Sequence, residues 1–138
     1  MTITLRQTDF DAILAHARAC LPEEACGLIG GTIDEAGNKH VEKVYLLENT
    51  DHSWEHFSLN PRDQLKAVKE LRGLGLVPLG NWHSNPASPS RPSQEDKRLA
   101  YDSKASYLIL SLMDPDGPVL RSFHIEGDQA EQEDLRYV

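Results

Sequence analysis

Apolar and polar positions change period several times along the chain, and each change marks an element. Phe10, Ile13, Leu14, Ala17 and Leu21 recur at helical spacing, and Pro22 stops the run. Thr8 stands before them as a candidate cap, because its hydroxyl can accept from the free amides of a first turn. "CGLIGGTI" reads as a strand, "DEAGN" as a hairpin turn, and "KHVEKVYLLEN" alternates as the partner strand. "EHFSLN" reads as a short strand or extended segment. Asn60 and Pro61 supply a cap and a first helical position for "PRDQLKAVKELRGLG". There Leu65, Val68 and Leu71 face inward and Gly73 lies near the end. "LVPLGNWH" is an apolar strand running into a polar loop. Ser93 can cap a helix over "QEDKRLAYD", with Glu95 and Asp96 in the favoured first turn. "SYLILSLM" and "GPVLRSFHI" are two more strands joined by "DPDG", and the tail "EGDQAEQEDLRYV" adds a last short strand. With no repeat, linker or low-complexity tract, the sum is one α/β domain over residues 1–138. Its sheet is mostly antiparallel or mixed, with helices packed on it.

Composition narrows the functional classes. At 138 residues, 39% hydrophobic and 26% charged, the chain has an ordinary globular make-up. A net charge of −8 without a basic patch argues against nucleic-acid binding. No apolar stretch approaches the roughly 20 residues of a membrane span, and the first residues lack a signal peptide's apolar core. Cys20 and Cys26, the only cysteines, then point to a reducing cytoplasm and read as small buried hydrophobes.

The stretch "WHSNPASPSRPSQED" concentrates the chemistry. His83 ends a strand, and Asp96 lies thirteen residues on, in the first turn of a helix. Pro86, Pro89 and Pro92 lower the entropy cost of ordering the loop between them. Zinc sites take imidazole and carboxylate ligands, and catalytic ones leave a position open for water. Each residue alone has a plainer role: a hydrogen-bonded His at a strand end, a helix cap for Ser93 and Asp96, a rigid turn. Their combination is what points to a site.

The arrangement resembles the JAMM (MPN+) metalloproteases, which carry His-x-His-Pro, six residues, then Ser-x-x-Asp. Here the chain reads His83-Ser84-Asn85-Pro86, "ASPSRP", then Ser93-Gln94-Glu95-Asp96. The family's upstream Glu, within a segment like Pro-x-Glu-x-Cys-Gly-Leu, falls on Glu24 of "PEEACGLIGG", and "HFSLNPRDQL" looks like the segment before its second helix. The resemblance implies a cytidine-deaminase-like α/β/α sandwich, a mixed sheet with flanking helices. It puts His83 and Asp96 on metal-ligand positions for zinc, Glu24 on the general base and Ser93 on the donor to the developing oxyanion. Small bacterial members act on ubiquitin-like sulfur-carrier proteins, removing a residue, often cysteine, from a Gly-Gly C-terminus. A carrier of that kind is the implied partner.

Asn85 departs from the pattern at a ligand, because it stands where the family has its second His. A neutral amide is a far poorer zinc donor than imidazole. Three explanations stay open: an introduced substitution that disables the site, a natural change in a chain that binds without cutting, or a ligand borrowed from His52 or His56. The expectation is a zinc-dependent hydrolase of peptide or isopeptide bonds, weakened or silenced at position 85. The alternative is a metal-free MPN-type binding module. A nucleobase deaminase shares the fold but would want a Pro-Cys-x-x-Cys pattern, which two cysteines six apart do not supply.

Overall fold

The computed structural model describes residues 2–138. In chain order the elements are β1 (Thr2–Leu5), α1 (Gln7–Cys20), β2 (Cys26–Ile33), β3 (Lys39–Leu47), α2 (Pro61–Gly73), β4 (Val77–Asn85), α3 (Gln94–Arg98), β5 (Ser106–Ser111), β6 (Val119–Glu126) and β7 (Gln129–Tyr137). The sheet is mixed. Strands β2–β3, β2–β4, β5–β6 and β6–β7 pair antiparallel, whereas β4–β5, β1–β3 and β1–β7 pair parallel. The strand order β1-β3-β2-β4-β5-β6-β7 closes on itself, because β1 bonds to both β3 and β7.

Helices flank this mixed sheet on two faces, as expected above, while closure through β1 is a feature that the expected sandwich did not include. Ile29 of β2 shares a buried cluster with Ile13 and Ala17 of α1. Its neighbour Gly30 points the other way, where an added Cβ would run into the Leu71 side chain of α2. A strand presents successive residues to opposite faces, so α1 and α2 pack on opposite sides of β2. Gly27 is required for close approach as well, since a Cβ there would strike the Tyr45 carbonyl of β3. The main core gathers Ile3 and Leu5 of β1, Trp82 of β4, and Leu108 and Leu110 of β5, all fully buried.

Several local expectations need correcting. The first helix starts at Gln7 with Arg6 as its cap residue and no side-chain cap, so Thr8 lies inside the first turn. In α2 the buried residues are Ala67 and Leu71, while Leu65 is exposed. Asn60 does cap that helix, its side chain accepting from the Arg62 amide at 2.8 Å. Of the two readings of "EHFSLN" the extended segment holds and the strand does not; an isolated Asn49–Leu59 bridge and side-chain bonds to Asn49 tie the loop. Helix α3 stops at Arg98 rather than running through "LAYD". The tail strand is nine residues long, not short, because it pairs on both sides, with β6 and with β1. Among the described residues no helix is long and apolar enough to cross a membrane. Both cysteines are free thiols, and burial pushes Cys26 up to about 12, which leaves it inert as a nucleophile.

Candidate active site

Strand pairing brings the two halves of the site together. Cys26 of β2 is paired with His83 of β4. One residue outward, the Ser84 hydroxyl accepts from the Ala25 amide at 2.8 Å and the Ser84 amide donates to the Ala25 carbonyl at 3.0 Å. This double clasp sets Glu24 beside the end of β4. The Glu24 backbone is held as well, its amide donating to Ser53 at 2.8 Å and its carbonyl accepting from Asn49 at 3.0 Å. Ser84 is sealed on the opposite face from His83 and Asn85, as strand alternation requires.

His83 is 3% exposed, and its ring stacks on Phe57 with centroids 4.7 Å apart. Its Nε2 faces Asp96 Oδ2 at 3.5 Å. Burial alone would push the imidazole down, but the Asp96 carboxylate outweighs it and holds the ring above its ordinary range, with Glu24 and the Asn85 amide acting the same way. Burial would raise Asp96 too, yet the His83 ring and the Ser93 backbone and hydroxyl keep it below the usual carboxylate range.

Ser93 and Asp96 form a reciprocal capping box. The Asp96 amide donates to the Ser93 hydroxyl at 3.0 Å, and the Ser93 amide donates to Asp96 Oδ2 at 2.8 Å. The cap and the chemical role do not exclude each other. The Ser93 oxygen accepts from the Asp96 amide, and its single hydrogen can turn from the Asp96 carboxylate to an oxygen bound in the groove. The loop leading to it is nailed to β5, with Ser90 Oγ donating to the Ile109 carbonyl and Ser111 Oγ to the Ser88 carbonyl, each at 2.6 Å.

Above these residues opens a groove of about 530 Å³ whose lining includes Glu24, Asn85, Ser93 and Asp96. His83 lies just beneath, in a smaller recess that it shares with Asp96 and Phe57. Glu24 is 5% exposed. Burial lifts its carboxyl to about 7, with Asp96 adding to the rise and His83 opposing it. A carboxyl half-protonated near neutrality can both accept and return a proton.

The donor set falls short of a catalytic zinc site, which takes three protein ligands plus water. Among the described residues no group of three His, Cys, Asp or Glu side chains could hold a metal ion. Asn85 turns its amide nitrogen to the Pro89 carbonyl at 3.0 Å, which leaves only a neutral oxygen for the site. His52 pairs with Glu23 and Glu48 at 3.0 and 3.3 Å. His56 reaches the groove, but its Nδ1 is taken by Glu95 at 2.6 Å. Two strong ligands and one amide therefore do not fit a tightly held zinc.

Sequence reasoning missed Phe57, Ser84 and the His56–Glu95 bridge. Only Ser84 left a readable signal, since alternation puts it opposite His83.

The family described as prokaryotic homologs of the JAB domain matches residues 6–126. The CysO-cysteine peptidase of Mycobacterium tuberculosis is 30% identical over 136 residues, spanning 99% of this chain and 91% of that protein. The solution structure of a protein from Desulfitobacterium hafniense is 53% identical, with a TM-score of 0.90 over 99% of this chain and 92% of its own. A JAB1/MPN domain protein from Archaeoglobus fulgidus shares the fold, with a TM-score of 0.63 at 22% identity over 100% of this chain and 99% of its own.

Proposed function

Because the chain belongs to the family of prokaryotic JAB-domain homologs, we propose that it recognises a ubiquitin-like sulfur-carrier protein bearing an extra residue on its Gly-Gly tail. The reaction class is hydrolysis of that peptide or isopeptide bond, weakened or silenced in this chain by Asn85. The observation that carries the reading is that Glu24, Ser93 and Asp96 line one groove, with His83 in the adjoining recess 3.5 Å from Asp96. The likeness to a CysO-cysteine peptidase along nearly the whole chain supports the substrate class.

The chain's own residues divide the labour. Glu24, poised at about 7, takes a proton from the attacking water and gives it to the leaving amine. The water oxygen bonds to the carbonyl carbon as the C=O π pair moves onto oxygen; the pair then returns, and the carbon–nitrogen bond breaks with the proton delivered to the amine. The Ser93 hydroxyl donates to the oxygen that gains charge. In a family site zinc would supply Lewis acidity, and here it would find His83 and Asp96 but no second imidazole.

The test is Asn85→His. Zinc on the purified protein as it stands should fall well below one per chain. In the variant it should approach one per chain, and release of the terminal residue from a Gly-Gly conjugate should appear and vanish with a chelator. A variant that holds one zinc yet neither binds nor cuts such a conjugate would discard the substrate class. Full zinc and turnover in the unaltered chain would discard this account of position 85. Asn85 also favours the second reading, a binding module without catalysis. That reading wins if Asn85→His binds the conjugate and zinc but never cleaves.

A further inference from the structure

Charge in the groove is lopsided. Glu24, Glu55, Glu95 and Asp96 line it, and the one lysine or arginine among its lining residues is Arg91. Glu95 is taken by His56 and Asp96 by His83. Arg91 makes no ion pair among the described residues. Its backbone is nevertheless held firmly. The Arg91 amide donates to the Pro89 carbonyl at 2.9 Å, and Ser90 beside it is buried and anchored to β5. Proline follows at position 92 and Ser93 comes next. A guanidinium on a rigid mount, without a partner in an acidic groove, is prepared for an anion that arrives with the ligand. Its planar fork matches a carboxylate through two parallel hydrogen bonds.

We infer that Arg91 reads the free α-carboxylate of the residue beyond the scissile bond. The inference rests on the proposed function and makes it more specific. Two residues of chain span about 7 Å at most, so Arg91 stands close to Ser93, and Ser93 sits at the reacting carbonyl. When a single amino acid follows the Gly-Gly tail, its carboxylate lies one residue past that carbonyl, within reach of the arginine. An isopeptide to a protein lysine offers no carboxylate at that distance. Arg91 therefore selects removal of one terminal amino acid over cleavage between two proteins.

The probe is a ubiquitin-fold carrier ending in Gly-Gly-Cys, prepared with a free C-terminal carboxylate and as the C-terminal amide. Binding is measured to the chain as it stands, so the readout does not depend on metal or turnover. The free carboxylate should bind about 10- to 100-fold more tightly than the amide, the range expected when a hydrogen-bonded charge is lost. Arg91→Ala, with an unchanged thermal midpoint, should bring the ratio close to one, and Arg91→Lys should keep part of it. In an Asn85→His background the same ratio should appear in KM more than in kcat. Equal binding of acid and amide to the unaltered chain, or a ratio untouched by Arg91→Ala, overturns the inference alone. Failure to bind either form overturns the proposed function, and the role of Arg91 with it.

Discussion

Burying a carboxyl under a groove has a cost that pH exposes. The Glu24 carboxyl is lifted from an ordinary 4.5 to about 7, chiefly by desolvation. Between those values the folded state holds a proton that the unfolded state has released, so stability falls as pH rises through the window. The difference amounts to roughly 3 kcal/mol above pH 7, since one pKa unit corresponds to about 1.4 kcal/mol. Glu24→Gln removes the ionisation while keeping the shape. Urea unfolding should show the variant more stable than the parent at pH 8 by up to about 3 kcal/mol, with the gap closing towards pH 4.5. In an Asn85→His background the same change should cost hydrolysis about 100- to 10,000-fold while zinc is retained. A parent no less stable at pH 8 than the variant would mean that Glu24 is not desolvated as described. Full hydrolysis would move the base elsewhere, first to Glu23, which is instead paired with His52 at 3.0 Å.

At the scale of elements, α3 shows how little structure the site needs. The helix is five residues long, buries none of its side chains fully, and is held at its start by the capping box. Ser93→Ala removes the acceptor for the Asp96 amide and should lower stability by about 1 kcal/mol. It should also weaken hydrolysis in the metal-competent background, because Asp96 loses its mount and the oxyanion its donor. Ser93→Thr keeps the hydroxyl and should recover most of both losses in parallel unfolding and activity measurements. If Ser93→Ala leaves stability and hydrolysis intact, the box is incidental. This element was legible beforehand, since Ser, Glu and Asp at its start form a local signal with a local cause. So were the β2–β3 hairpin and the Asn60 cap. Leu65 misled because helical spacing alone does not say which side of α2 faces the sheet; the buried side carries Ala67 and Leu71, with Leu71 against Gly30. Strand β1 left no periodic signal, because four residues are too few to show one. The loop at 49–59 read as extended because its order comes from scattered bonds to Asn49, including those from Asp51 and Ser58, and not from a ladder.

For the molecule as a whole, the site and the ring closure lie on different parts of the sheet. Glu24, His83 and Asp96 depend on β2, β4 and the loop held to β5. Closure depends on β1, whose Ile3 and Leu5 are fully buried between β3 and β7. Closing a sheet removes the exposed edges that would otherwise template pairing with another chain. Ile3→Ala leaves a cavity in that seam and should cost about 2–5 kcal/mol. For a chain of this length each kcal/mol corresponds to roughly 2–4 °C in the thermal midpoint, so the melt should move by several degrees or more. Well below the new midpoint, binding of a Gly-Gly-Cys carrier should stay within about twofold of the parent, because none of the residues lining the groove touches β1 through strand pairing. A melt that barely moves would show that β1 is an ornament on a sheet already stable when open. Large losses in binding at a temperature where the fold is intact would show instead that closure tensions β2 and β4. In that case the geometry at Glu24 and His83 would be a property of the whole ring.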